Sequence, residues 1–277
     1  MTNLKTVWGP MRRRLTALFL KIGWWVLPPV CAYTRRSLEG RAFFQTVAID
    51  LSPHVIAGLV AITQPLPAPA GRCRHCGRAL PSALTQSEVC GQCLQARPPN
   101  RFVVCGFVYQ GMLRTWIGAL KYQGQLSWAG VLARLLYERL VLQGWQSQPL
   151  CLIPVPLHAQ RLRQRGFNQS LELARQLCAC NPHGTWQVCA HWVVRSRSTP
   201  SQVALSGSAR RANLEGAFNL TSVASQQMAQ MPSEMAWVVL DDVLTTGTTL
   251  NQVGRLLQKA SPQRSIDYWV VARTPIR

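Results

Sequence analysis

Two aspartates stand side by side near the C-terminus of a chain that contains only four. Asp241 and Asp242 follow the apolar run 237–240 and precede Thr245, Thr246, Gly247, Thr248 and Thr249. Paired carboxylates at a strand end are acceptors for vicinal hydroxyls. Threonine hydroxyls, the amides of a helix start and a glycine that admits close approach bind a phosphate monoester. A sugar phosphate satisfies both halves at once. The stretch lacks the Gly-Lys-Ser/Thr of a nucleotide P-loop and the three spaced glycines of a dinucleotide fold.

A second cluster is built from sulfur. Cys73 and Cys76 form one C-x-x-C pair and Cys90 and Cys93 another, with thirteen residues between them. Four thiolates at this spacing make a closed tetrahedral site for zinc, a structural ribbon or knuckle. Two disulfides or a redox pair are the alternative uses of the same spacing. His75 lies inside the first pair as a bystander. Cys31, Cys105, Cys151, Cys178, Cys180 and Cys189 read as packed or free thiols. A third cluster is basic: Arg161, Arg163 and Arg165 follow the apolar run 150–156, where an α/β sheet receives anions.

These groups need a frame. Residues 237–240, 150–156 and 266–272 are apolar runs of the kind buried in parallel strands. Residues 102–110 alternate, and 186–195 reads as one further strand. Helices are expected over 111–122, 126–143 and 171–180, with 158–169 a basic loop. Another follows the acidic pair, opened by a capping box of Thr249 with Gln252. Residues 195–213 carry Arg197, Thr199, Gln202, Arg210 and Asn213 with little apolar periodicity, the pattern of an active-site lid or of disorder. Residues 222–233 read as a polar, mobile connection. The whole is an α/β parallel sheet flanked by helices.

Composition sets the bounds. The 277 residues are 48% hydrophobic and 14% charged, which fits a globular core with a small appendage. A formal charge of +20 favours phosphorylated ligands, nucleic acid or an anionic surface. Arg12, Arg13 and Arg14 precede an apolar segment that superficially resembles a signal peptide. Lys21 interrupts it, Pro28-Pro29 closes it and no small-x-small cleavage site follows. It is too short to span a bilayer and reads instead as an amphipathic helix. The expected boundaries are an N-terminal extension over 1–70, a zinc ribbon over 71–100 and an α/β domain over 101–277.

The stretch 237–249 closely resembles the 5-phosphoribosyl-1-pyrophosphate (PRPP) motif of type I phosphoribosyltransferases. Further blocks extend the likeness: Leu120-Lys121-Tyr122-x-Gly124, Ile153-Pro-Val-Pro156 through Asn168-Gln169, Thr199-x-x-Gln202-x-x-Leu205 and Arg210-x-x-Asn213. Together with the cysteine pairs they resemble the ComF/GntX family of competence and DNA-utilisation proteins, over residues 73–273. Leu27-Pro-Pro-Val-Cys31 matches the start of many members, but Thr34 stands where their next cysteine belongs. The resemblance implies a cytoplasmic phosphoribosyltransferase-like domain that takes PRPP with magnesium. Asp241 and Asp242 would hold the ribose hydroxyls and Thr245, Thr246, Gly247, Thr248 and Thr249 the 5-phosphate. Lys121, Arg161, Arg163 and Arg165 would meet the pyrophosphate. Single-stranded DNA and a competence-type helicase or recombination factor are the partners it implies. A PRPP- or nucleotide-binding regulator without turnover, and a nucleic-acid-binding factor, are the alternative readings.

Overall fold

The computed structural model describes residues 71–81, 88–197 and 216–275, with a few positions between 56 and 66. The chain divides into two compact units, 1–50 and 51–277. The first unit lies outside the described residues, and with it the expected amphipathic helix and Cys31. Thr199, Gln202, Arg210 and Asn213 also lie outside them.

Five parallel strands form the centre, β1 (Val103–Val108), β2 (Leu150–Pro154), β3 (Trp186–Val188), β6 (Ala236–Leu244) and β7 (Ile266–Arg273), in the order β1-β7-β6-β2-β3. Their apolar content follows from burial on both faces. All eight residues of β7 are buried. Helices α2 (Gly111–Gln123) and α3 (Ser127–Val141) follow β1, and α4 (Ala159–Arg165) and α5 (Gln169–Cys180) follow β2. A short antiparallel pair, β4 (Val193–Arg195) and β5 (Phe218–Leu220), stands apart from the main sheet. Helix α6 (Ser222–Gln230) leads into β6, and α7 (Thr248–Ala260) joins β6 to β7.

The strand order creates an opening. From β2 the chain winds outward to β3, and from β6 it winds the opposite way to β7. β2 and β6 are direct neighbours, paired from Leu150↔Ala236 to Pro154↔Leu240. Helices therefore diverge beyond the carboxyl ends of these two strands, which is where such sheets bind ligands.

Several expectations change. The run 186–195 is two strands in different sheets, because the chain turns at 190–191 to bury Trp192 against Trp237, ring centroids 5.1 Å apart. The basic loop after β2 is helix α4, opened by His158, whose ring nitrogen accepts from the Gln160 amide. The polar connection is helix α6, capped by the Thr221 hydroxyl and anchored by buried Ala224 and Met228. Cys151 and Cys189 are joined by a disulfide rather than free. Their Cα atoms lie 6.1 Å apart on neighbouring chain segments, a proximity that hydrophobic periodicity does not reveal.

Candidate functional site

The acidic pair lies inside β6, which runs on to Leu244 instead of stopping at residue 240. The two carboxylates have different surroundings. Asp242 is 2% exposed and meets the Lys121 ammonium at 2.7 Å. Asp241 accepts a hydrogen bond from Ser170 Oγ at 2.9 Å, and its Oδ1 also accepts the Asp242 amide at 2.9 Å. Burial first, then the neighbouring Asp242 charge, pushes the Asp241 carboxyl up to about 7, against the pull of Lys121 and the two hydrogen bonds. Burial would lower the Lys121 pKa, but the charges of Asp242 and Asp241 outweigh it and hold it above the usual range.

Beyond the strand, the chain turns at Gly247 into α7. Gly247 has φ +78°, a left-handed conformation that a side chain resists. Helix α7 has no side-chain cap, so the expected Thr249–Gln252 capping box is absent and Thr249 sits within the first turn. The physical reason is the early helix start at Thr248. The amides of the first turn have no acceptor within a helix, and here none is supplied by a cap. Thr246 and Thr248 hydroxyls lie 2.8 Å apart beside them. An N-terminus left open in this way suits an anion.

The basic groups collect on the other side of the opening. Arg165 donates to Gln169 Oε1 at 2.5 Å and lies 5.7 Å from the Tyr122 ring centroid. Burial lowers its pKa, and the charges of Asp242 and Asp241 act against that. Arg161 is close enough to act electrostatically on Arg165 and on Arg195. Arg163 is exposed on α4. Lys121 is thus engaged with the acids, Arg165 lies within their field, Arg161 stands by Arg165 and Arg195, and Arg163 points to solvent.

Ser170 and Tyr109 escaped the sequence reading as neighbours of the site, and Arg195, expected at the start of the lid stretch, ends β4 instead. Ser170 is set by Asn168, whose side chain accepts the Ser170 amide at 3.0 Å and donates to the Val155 carbonyl at 3.0 Å. A hydroxyl in the first turn after the basic segment was the available signal. Arg195 stands within the field of Asp241 and packs over Phe218, and Tyr109 within that of Lys121 and Asp242. Burial raises the Tyr109 pKa.

The four cysteines come together as their spacing implies. Their sulfur atoms all lie within 4.8 Å of one another, Cys76 to Cys90 at 3.7 Å. A tetrahedral ion with bonds of about 2.3 Å requires sulfurs about 3.8 Å apart, so the cluster fits a metal such as zinc. Cys90 stands at the N-cap position of helix α1 (Gly91–Ala96) without a side-chain capping bond, and Cys93 lies in the helix. His75 shares hydrogen bonds with Asn100, its ring nitrogen 2.7 Å from the Asn100 carbonyl, which ties the ribbon to the start of β1.

Between this ribbon and α7 runs a cleft of about 1400 Å³ that reaches the 245–248 turn. Arg78, Arg255, Lys259 and Arg273 line it, and no carboxylate does among the described residues.

The domain is of the phosphoribosyltransferase type: the phosphoribosyl transferase domain family matches residues 173–277, the stretch that carries the acidic pair within β6 and the open N-terminus of α7. DNA utilization protein YhgH of Salmonella typhimurium is 35% identical over 211 residues, covering 73% of this chain and 84% of that protein. The same protein of Escherichia coli K12 is 34% identical over 212 residues, with the same coverage. Competence protein F of Haemophilus influenzae is 35% identical over 208 residues, again covering 73% and 84%. The chain belongs with these proteins to the ComF/GntX family. No helix among the described residues is long and apolar enough to cross a membrane.

Proposed function

We propose that the turn from β6 to α7 binds PRPP, with magnesium on the pyrophosphate. The observation that carries this reading is one strand-to-helix turn presenting both Asp241 with Asp242 and the uncapped first turn of α7. Thr245 to Thr249 receive the 5-phosphate, and the two carboxylates accept from the ribose hydroxyls. Arg161 and Arg165 face the pyrophosphate, Arg163 reaches it only by swinging in from solvent, and Lys121 joins them only by leaving Asp242. Magnesium screens the phosphate charge of the leaving group. Displacement at C1 builds positive charge on the ribose, so positioning and electrostatics by these side chains supply most of the effect. The cysteine ribbon holds zinc.

Calorimetric titration of PRPP with and without magnesium tests the binding, and a pyrophosphate-release screen against purine and pyrimidine bases tests turnover. Tight binding with no release marks a regulator instead of an enzyme. No binding in either condition removes the reading. A second reading, single-stranded DNA along the Arg78–Arg255–Lys259–Arg273 cleft, is favoured by its lack of carboxylates and by the names of the relatives. Its mark is an affinity that falls steeply with salt and is lost on charge reversal at Arg255 and Lys259.

A further inference from the structure

The cysteine cluster and the 245–249 turn are joined by one short path of contacts. Arg273, the last residue of β7, is buried; its Nε donates to the Cys76 carbonyl at 2.6 Å and its Nη1 to the Thr274 carbonyl at 3.1 Å. The Thr274 amide donates to the Leu244 carbonyl at 2.9 Å, and Leu244 directly precedes Thr245. There is no slack at the other end of the path. Gly77 follows Cys76 with φ +68°, and a Cβ there would lie 3.0 Å from Cys105 Sγ and 3.4 Å from Arg273 Cδ. Arg273 makes no ion pair among the described residues. Four thiolates around a divalent ion carry net negative charge, which the guanidinium beside Cys76 complements.

We propose that Arg273 is a positioning residue that couples the two sites, so that metal on the cysteines and phosphate at the turn raise each other's affinity. The proposal rests on reading residues 245–249 as a phosphate site. Metal binding fixes the turn that carries the Cys76 carbonyl. A fixed carbonyl holds the Arg273 guanidinium, which holds the end of β7 against Leu244. The turn is then presented to phosphate with part of its ordering already done. Linkage makes the effect reciprocal.

The experiment uses the full chain, metal-loaded and after chelation, with ribose 5-phosphate titrated calorimetrically. Chelation is expected to weaken binding by about five- to twentyfold, within the usual range of coupling between sites. Metal retention against a chromogenic chelator should weaken by the same factor when ribose 5-phosphate is left out. Arg273→Lys keeps the charge but replaces the rigid fork, whose Nε and Nη1 reach the two carbonyls, by a single nitrogen on a flexible stem. It should retain the metal, bind ribose 5-phosphate as weakly as the chelated parent, and show no further loss on chelation. Equal affinity with and without metal in a folded parent overturns the proposal. If the chelated parent unfolds, the lysine variant decides: metal-loaded and binding as tightly as the parent, it also overturns the proposal. Failure of the metal-loaded parent to bind ribose 5-phosphate at all removes the phosphate-site reading instead.

Discussion

Two adjacent carboxylates in one strand have been given different tasks by their partners. Asp242 forms an ion pair with Lys121, and both side chains are largely buried, 3% and 17% exposed. Removing one partner of such a pair strands the other charge. Asp242→Asn is therefore expected to cost about 3 kcal/mol in urea unfolding, with Lys121→Met in the same chain restoring most of it. Asp241 is the titrating member. Its pKa in the fold is pushed up to about 7, above the ordinary 3.8, so between these values the folded protein keeps a proton that the unfolded chain has lost. The stability it contributes is present below about pH 4 and fades as pH rises towards 7. Melting temperature followed from pH 4 to 8 should show that slope, and Asp241→Asn should flatten it. Ribose hydroxyls donate to the ionised form, so PRPP binding should tighten by about tenfold from pH 6 to 8. Asp241→Asn should weaken PRPP binding by one to two decades, the loss of a charged acceptor worth about 1.5–3 kcal/mol, and remove the pH dependence. A variant that keeps both affinity and pH dependence would show that Asp241 never meets the ligand.

At the scale of elements, α7 has to lie flat on β7 to aim its N-terminus at the opening. Gly254 makes this possible. A Cβ there would collide with the Tyr268 hydroxyl and come within 2.8 Å of Pro99 Cγ. Gly254→Ala should lower stability by about 1–3 kcal/mol in urea unfolding, with part of the loss recovered by adding Tyr268→Phe. No recovery would mean that Pro99 alone sets the approach. The elements that could be read in advance carried a clear period or a long apolar run. Residues 237–240, 150–156 and 266–272 became β6, β2 and β7, and 111–122 and 126–143 became α2 and α3 within two residues. Helix α6 was hidden because Ala224 and Met228 are its only buried residues within a Gln- and Ser-rich segment. Helix α4 was hidden because it buries none. The break between β3 and β4 depends on Trp192 entering the core, a tertiary fact with no local signal. The candidate site followed the same rule. The acids, the threonines, the glycine and the cysteines were legible from type and spacing. Ser170 and the Lys121–Asp242 pair are contacts between residues 71 and 121 positions apart, and no local pattern encodes them.

For the whole molecule, the question is what the metal site supports. The buried cysteines form a small cluster with Leu80, packed apart from the large core around Trp192, Trp237, Val239 and Val270. Hydrogen bonds from Asn100 and Arg273 tie that cluster to the sheet, so it is fastened to the body without being part of its core. Two consequences can be separated. Elemental analysis of purified protein should find about one zinc per chain, since a four-thiolate site is closed and leaves no position for a second ion. Chelation should abolish the ribbon and leave the helical and sheet signal in far-ultraviolet circular dichroism nearly intact, because the large core that holds the sheet is a separate cluster from the one the cysteines form. Cys73→Ser with Cys76→Ser should give the same result without chelator. Two zinc ions per chain would place further ligands outside the described residues, with Cys31 the first to replace. A cooperative loss of all secondary structure on chelation would show instead that the body folds only on a metal-loaded ribbon.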